Sequence, residues 1–205
     1  MSSTLNLLMQ GGWPMIPLAI ASIAAVAIIL ERLSALQRSK VIHPGTLKLM
    51  DAFQRSADAE IMLAQCQRVP GAFARILEEV IKVRHLDHIQ SIESMRAVGR
   101  TQVGRLEKGL TLLEIIASAA PLIGLLGTVL GMVTVFDAIT TEGGLGNPQI
   151  LSDGISKALI TTIAGLSVAI PTLAGHSLLT KRVDELAIEM QDRATSFIVK
   201  IQGMQ

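Results

Sequence analysis

The sequence predicts an all-α integral membrane protein with three transmembrane helices, two of which extend far into the cytoplasm. Half of the 205 residues are hydrophobic and only 17% are charged, whereas a soluble domain carries about 25% charged residues. Residues 1–30, 115–136 and 158–180 contain no Asp, Glu, Lys or Arg. Each stretch reaches the roughly 20 apolar residues that a helix needs to cross a bilayer. We therefore predict transmembrane helices near residues 14–33, 110–137 and 154–180.

The composition argues against several other classes of protein. The formal net charge of +1 disfavours a nucleic-acid-binding protein, which needs a basic excess. Tyr is absent, and four Phe and one Trp provide no aromatic platform for bases. The one cysteine, Cys66, excludes an internal disulfide and a cysteine-based metal cage.

The first apolar stretch could be either a signal peptide or a retained anchor. No basic residue precedes it, and it ends at Glu31-Arg32 without an obvious cleavage site. A signal peptide would have both a positive n-region and such a site. We therefore interpret this stretch as a retained membrane anchor.

The distribution of Lys and Arg predicts the orientation in the membrane. Residues 31–109 hold 13 of the 18 basic residues and residues 181–205 hold four, while residues 1–30 and 137–153 hold none. Because basic residues favour the cytoplasmic side, both the N-terminus and the second connection are expected in the periplasm. The predicted regions are residues 1–36, the periplasmic N-terminus and first transmembrane helix; 37–109, a cytoplasmic helical region; 110–180, the second and third transmembrane helices with a short periplasmic connection; and 181–205, a cytoplasmic C-terminal helix.

Three short helices are predicted between the first two apolar stretches. Pro44 opens the first, Ser56 can cap the second, and Pro70 begins the third. His85 and His88 follow in a sequence HLDH, which we interpret as a solvated turn because a metal site needs more ligands nearby.

Two long helices are predicted from the absence of helix breakers. No proline occurs between Asp87 and Pro121, so we expect one helix from about 87 to 137, roughly 75 Å long. The third transmembrane helix is expected to continue through residues 183–202, where helical periodicity persists.

Small residues and hydroxyls interrupt the second and third apolar stretches. Gly124, Gly127 and Gly131 follow one another at intervals of three and four residues. Small residues at this spacing let helix backbones approach closely inside lipid, so we interpret these glycines as packing residues. Thr128 and Thr162 could form a polar track, although a buried threonine commonly bonds a carbonyl of its own helix. Neither stretch contains an acid, so an ion relay along this track requires a carboxylate from another chain.

Three further polar residues lie near the ends of these stretches. His176 lies 14 residues after Thr162 on about the same helix face, where it could titrate at the cytoplasmic mouth or simply pack between helices. Lys157 could extend outward to the membrane surface or face the acid of a partner. Glu114 is expected at the level of the membrane interface, where it could pair with a basic neighbour.

Two long motifs resemble the signature pair of the TolQ/ExbB/MotA family. They are ASAAPLIGLLGTVLGMVTVF at residues 117–136 and GISKALITTIAGLSVAIPTLAGH at residues 154–176. Glu31-Arg32-Leu33, at the end of the first span, is similar as well. The three-span layout resembles the ExbB/TolQ branch, since the MotA branch has four spans. The resemblance implies a stator-like subunit of a bacterial inner-membrane motor, which conducts ions, in this family protons, and couples proton motive force to work on a periplasmic or outer-membrane partner.

The resemblance also implies partners and site residues. Five copies would surround two single-span proteins of the ExbD/TolR type, each with an aspartate inside the membrane. The pore-facing threonines of the family fall on Thr128 and Thr162. Many members carry a glutamate in the motif GIxEAL where this chain has Lys157, which puts a carboxylate role at that position in doubt. Neither a cofactor nor a metal is implied.

Three classes of function are therefore compared. The first is the ion-driven motor subunit and the second is a structural membrane scaffold without ion conduction. The third, a small transporter or membrane enzyme, is disfavoured because internal repeats, broken helices and a nucleophile–base or metal constellation are not recognisable. We expect the motor subunit, and not an enzyme; the scaffold differs in that Thr128 would face a neighbouring helix of the same subunit and not a lumen.

Overall fold

The computed structural model describes residues 12–53, 59–141 and 148–203 of the chain, and within these ranges it contains helices and no strand. The all-α prediction is thereby confirmed. The helices are α1 (Met15–Ala35), α2 (Arg38–Val41), α3 (Pro44–Ala52), α4 (Ala59–Arg68), α5 (Ala72–Lys82), α6 (His88–Leu106), α7 (Leu110–Thr141) and α8 (Pro148–Gln202).

Three of these helices are long and apolar enough to cross a membrane. They are Met15–Ala35, Leu110–Asp137 and a segment within Ser152–Gln202, with mean hydropathies of 2.0, 2.0 and 1.7. Large apolar side chains such as Ile23, Leu122 and Ile163 are more than 60% exposed on them. Helices that are apolar on their outer face suit a lipid environment. The three predicted transmembrane helices are therefore confirmed.

The chain divides into two compact units. Residues 12–30, 109–141 and 148–177 form the one that we call the membrane unit. Residues 31–53, 59–108 and 178–203 form the other, which we call the helical unit. The membrane unit contains the charge-free part of α8 as far as Ser177, and the helical unit contains residues 178–180 and the charged continuation.

The expectation of one helix over residues 87–137 is wrong. Helix α6 ends at Leu106 and α7 begins at Leu110. Gly109 separates them with a φ of 87°, a conformation that glycine adopts without the steric cost of a Cβ. A glycine-containing turn thus ends the helix in a segment that contains no proline. Helix α8, in contrast, runs unbroken from Pro148 to Gln202, as predicted, so one transmembrane helix and not two continues far beyond its apolar stretch.

The short helices begin close to their predicted starts. Pro44 opens α3, and the backbone N–H of Gly45 donates to Nδ1 of the capping His43 at 3.0 Å. Helix α5 begins at Ala72 and not at Pro70, because Gly71 has a φ of 135° that is incompatible with a helix. The predicted cap at Ser56 lies outside the described residues.

The helical unit has an apolar core built around α5. Its buried residues recur at helical spacing, which puts them on one face of the helix. Phe53 and Phe197 pack edge to face across this unit with ring centroids 5.3 Å apart, an arrangement that aromatic pairs favour. The α5 residues in the core are Phe73, Ala74, Ile76, Leu77, Val80 and Ile81.

Candidate ion pathway

Glycines bring the backbones of α7 and α8 into direct contact within the membrane unit. A Cβ built on Gly165 would lie 2.6 Å from the carbonyl oxygen of Ala120 and 3.1 Å from Cα of Gly124. A Cβ on Gly124 would lie 3.0 Å from the carbonyl oxygen of Thr161. Distances this short leave no room for a side chain, so these two glycines are required by the helix contact.

Thr162 connects the two helices through its hydroxyl. Its Oγ1 donates to the carbonyl oxygen of Gly124 at 3.1 Å, and the side chain is half-buried. In an α-helix the same carbonyl accepts the backbone N–H of residue 128. The hydroxyl of Thr162 and the backbone N–H of Thr128 therefore share one carbonyl group as acceptor.

Thr128 bonds to its own helix. Its Oγ1 donates to the carbonyl oxygen of Leu125 at 2.6 Å, and the residue is half-buried. The hydroxyl proton is thus used within α7, as is common for threonine in apolar helices. The oxygen still has lone pairs, so it can accept a hydrogen bond from a donor outside the chain.

The neighbouring Thr161 has a different environment. It is 1% exposed and its Oγ1 donates to the carbonyl oxygen of Ala158 at 2.7 Å. It packs directly against Gly127, where an added Cβ would overlap its side chain. Since consecutive residues point about 100° apart on a helix, Thr161 fills the helix contact and Thr162 bonds across it. Only Thr162 belongs to the polar track predicted from the sequence, and the structure gives the two threonines different hydrogen-bond acceptors.

The other predicted site residues lie at different levels along the helices from Thr128 and Thr162. His176 is half-buried on α8, about 21 Å along the helix from Thr162. Glu114 is exposed on α7, about 21 Å along the helix from Thr128. Lys157 is exposed about 7.5 Å along α8 from Thr162. The structure thus places Thr162 against the carbonyl of Gly124, one helical turn before Thr128, and leaves these three residues at other levels of the membrane unit.

Glu189, whose carboxyl pKa is strongly lowered, lies in the helical unit, beyond the charge-free residues 158–180. Nε of Arg38 donates to Oε2 of Glu189 at 2.9 Å, and Nε of Arg193 donates to Oε1 of Glu189 at 2.9 Å. These hydrogen bonds, with that from Arg38 the larger cause, lower the pKa of Glu189 to about 2. This is a structural ion pair; in the described residues, no group of three His, Cys, Asp or Glu is placed to hold a metal ion.

The sequence is similar to known transport proteins along its whole length. It is 29% identical over 218 aligned residues to the biopolymer transport protein exbB1 of Vibrio cholerae, an alignment that covers 100% of this chain and 91% of that protein. It is 34% identical over 110 residues to ExbB of Aquifex aeolicus, covering 52% of this chain and 74% of that protein. It is 45% identical over 82 residues to ExbB of Helicobacter pylori, covering 40% of this chain and 56% of that protein.

The family profile covers the part of the chain that holds the threonine pair. The profile of the MotA/TolQ/ExbB proton channel family matches residues 51–192, more than half of the chain. The match includes Thr128, Thr162 and the glycines between α7 and α8. The resemblance carried by the two sequence motifs is thereby confirmed: this chain belongs to the MotA/TolQ/ExbB family and is a membrane proton channel subunit of that family.

Proposed function

We propose that this chain is the ion-conducting, stator-like subunit of a motor in the bacterial inner membrane. It couples proton motive force to work on a periplasmic or outer-membrane partner. Its N-terminus is periplasmic and its C-terminus cytoplasmic, in accord with the distribution of Lys and Arg. Family membership and the similarity to biopolymer transport proteins support this proposal.

The working form in this proposal is a homo-oligomer around a single-span protein of the ExbD/TolR type. A chain with three apolar helices cannot enclose a pathway by itself, yet it carries polar atoms in two of them. The number of copies proposed, five, follows from the family resemblance. A species that native mass spectrometry in mild detergent finds to be a stable monomer would contradict this part of the proposal.

The arrangement of Thr162, Gly124 and Thr128 is the observation that carries the proposal. A membrane carboxyl group of the partner would alternate between a charged form, which only accepts hydrogen bonds, and a neutral form, which also donates one. The Oγ1 proton of Thr162 can be redirected from the carbonyl of Gly124 to the charged form. The Oγ1 oxygen of Thr128 can accept a hydrogen bond from the neutral form while its own hydroxyl continues to donate to the carbonyl oxygen of Leu125.

Both threonines serve for coordination in this mechanism, and the partner's acid stores the proton. A threonine hydroxyl does not titrate in a useful range, and residues 115–136 and 158–180 contain no Asp or Glu. Proton relay inside a membrane normally uses an ionisable group. The oligomer without its partner is therefore expected to conduct protons poorly. Proteoliposomes of the lone protein that rapidly dissipate a proton gradient, in a manner abolished by Thr128→Val, would show that the partner is dispensable.

The experiment is a comparison of three isosteric variants with the partner present. Thr128→Val and Thr162→Val each remove one hydroxyl from the proposed pathway, while Thr161→Val is the matched control inside the helix contact. Leaving a buried polar group unsatisfied costs about 1–3 kcal/mol. Since 1.4 kcal/mol is about one decade, proton flux should fall about tenfold or more for the first two variants and less for the control.

Oligomer size and partner binding are measured beside flux, because they separate conduction from scaffolding. Full activity of both Thr128→Val and Thr162→Val would show that the pathway role is wrong. The scaffold function is favoured instead if these variants lose activity only together with the oligomer. The observation in favour of a scaffold is the hydrogen bond of Thr128 to its own helix, which needs no partner.

A further inference from the structure

An open groove lies between α6 and α8 in the helical unit. Its volume is about 480 Å³. The floor is apolar, with Ile76, Met95 and Met190 all buried. Exposed Arg96 and Arg100 stand at its edge, and exposed Glu107 lies further along α6. An apolar floor beside two arginines fits an apolar side chain that has an acid next to it.

Gly99 and Gly104 of α6 line this groove, and no packing contact among the described residues requires glycine at either position. Apart from its own helix, a Cβ built on Gly99 or Gly104 would meet no atom of the described residues within 4 Å. Gly124 and Gly165 in the membrane unit, in contrast, are held by contacts of 3.1 Å or less. Glycine inside a helix is less favourable than alanine. A smooth surface here therefore suits the close approach of a helix from outside the chain.

A complementary stripe lies on another face of α8. Asp184, Ile188 and Asp192 follow one another at intervals of four residues, which places them on one side of the helix. All three are exposed, and Ile188 is 61% exposed. The stripe points about 100° around α8 from Ala187, which lines the groove. Groove and stripe are thus different faces of one chain, so their association is head to tail and can close into a ring.

The groove and the stripe lie at the same height along the axes of α6 and α8. Helices α6 and α8 run antiparallel, because Nδ1 of His88 lies 2.6 Å from Oε1 of Gln202 while Gly99 and Val103 share the groove with Gln191 and Ala187. Each residue further along α6 therefore lies at the height of a residue one position earlier on α8.

This register puts Asp192 level with the two arginines and Ile188 level with the glycines, while Asp184 is level with Leu106, next to the groove-lining Glu107. The midpoint between Arg96 and Arg100 is level with Asp192. The midpoint between Gly99 and Gly104 is level with Ile188. Copies in a closed ring stand at the same height around its axis, so the same levels meet between neighbours whose helices run along that axis.

We propose that the stripe Asp184–Ile188–Asp192 of one copy docks into the α6–α8 groove of a second copy of this chain. Ile188 lies over Gly99 and Gly104, and Asp192 pairs with Arg96 and Arg100. This inference rests on the proposed homo-oligomer and assigns it a contact in the helical unit, separate from the membrane unit.

Disulfide cross-linking between differently tagged copies tests the contact. Gly104→Cys in one copy and Ile188→Cys in the other are co-expressed, both with Cys66→Ala, so that a link can form only between copies. Oxidation should join the two tags in most of the oligomer. The matched control replaces Ile188→Cys by Ile61→Cys, which is also about 62% exposed but lies on α4; it should link at least about tenfold less, since disulfides need Cβ atoms within about 4.5 Å.

A charge exchange gives an independent reading. Arg100→Glu should raise the fraction of monomer about tenfold or more because it faces Asp192 with a like charge, and adding Asp192→Arg should restore the oligomer. Arg68→Glu, at an exposed position of α4, should leave it unchanged. An oligomeric wild type in which the 104–188 pair links no better than the control overturns this contact alone, whereas a monomeric wild type overturns the proposed oligomer as well.

Discussion

Replacing Gly165 by alanine should separate α7 from α8. The added Cβ would lie 2.6 Å from the carbonyl oxygen of Ala120, and ordinary contact begins near 3.4 Å. The oxygen belongs to the backbone of α7 and the Cβ is fixed rigidly to the backbone of α8, so no flexible side chain can move aside. The helices must move apart by about 0.8 Å, a value that follows from these two distances.

This displacement also breaks the bond across the helix contact. The distance from Oγ1 of Thr162 to the carbonyl oxygen of Gly124 is 3.1 Å and would grow to about 3.9 Å, beyond hydrogen-bond range. Overpacking costs about 1–3 kcal/mol, and a hydrogen bond in a membrane contributes about 0.6–1 kcal/mol. Alanine returns about 0.5–1 kcal/mol through its higher helix propensity. The net loss in free energy of unfolding is therefore about 1–3 kcal/mol.

The assay is unfolding by SDS titration from mild detergent, followed by far-ultraviolet circular dichroism. Ala174→Val serves as the control, because it adds methyl groups to an exposed position of the same helix. It should change the free energy of unfolding by about 0.5 kcal/mol or less. A Gly165→Ala protein that unfolds like the wild type would refute the close contact of the two backbones.

Three further predictions concern the helical unit. The hydrogen bond from Arg38 lowers the pKa of Glu189 from its ordinary value of 4.5 to about 2, so the stabilisation is complete above pH 4.5 and is lost as the pH falls towards 2; Glu189→Gln should remove that part of the acid-induced fall in thermal stability. Burial raises the pKa of the Cys66 thiol to about 11, so at pH 7.5 maleimide should label it slowly in the folded protein and rapidly in denaturant. Gly71→Ala should lower the free energy of unfolding by about 1–3 kcal/mol, because Gly71 has a φ of 135° and an added Cβ would lie 3.0 Å from the carbonyl oxygen of Lys40; an unchanged urea midpoint would contradict this strain.

The composition of the chain was sufficient to predict the three apolar helices. Each apolar stretch is about 20 residues long, so a single substitution changes its mean hydropathy only slightly. The continuation of α8 to Gln202 was predictable for a different reason, because helical periodicity persists through residues 183–202. The break at Gly109 was not, because glycine occurs both inside helices and at their ends, and only the conformation of the chain distinguishes the two cases.

The candidate site was predictable as a set of residues but not as an arrangement. Two apolar stretches with threonines at Thr128 and Thr162 indicated a polar track, and the motifs around them indicated the family. That Thr162 bonds to Gly124 of α7, that Thr128 bonds within α7, and that Thr161 fills the contact instead was decided by the tertiary structure. Sequence spacing fixes the angle of a side chain around its own helix, whereas the partner it meets depends on how far apart and at what register two helices pack.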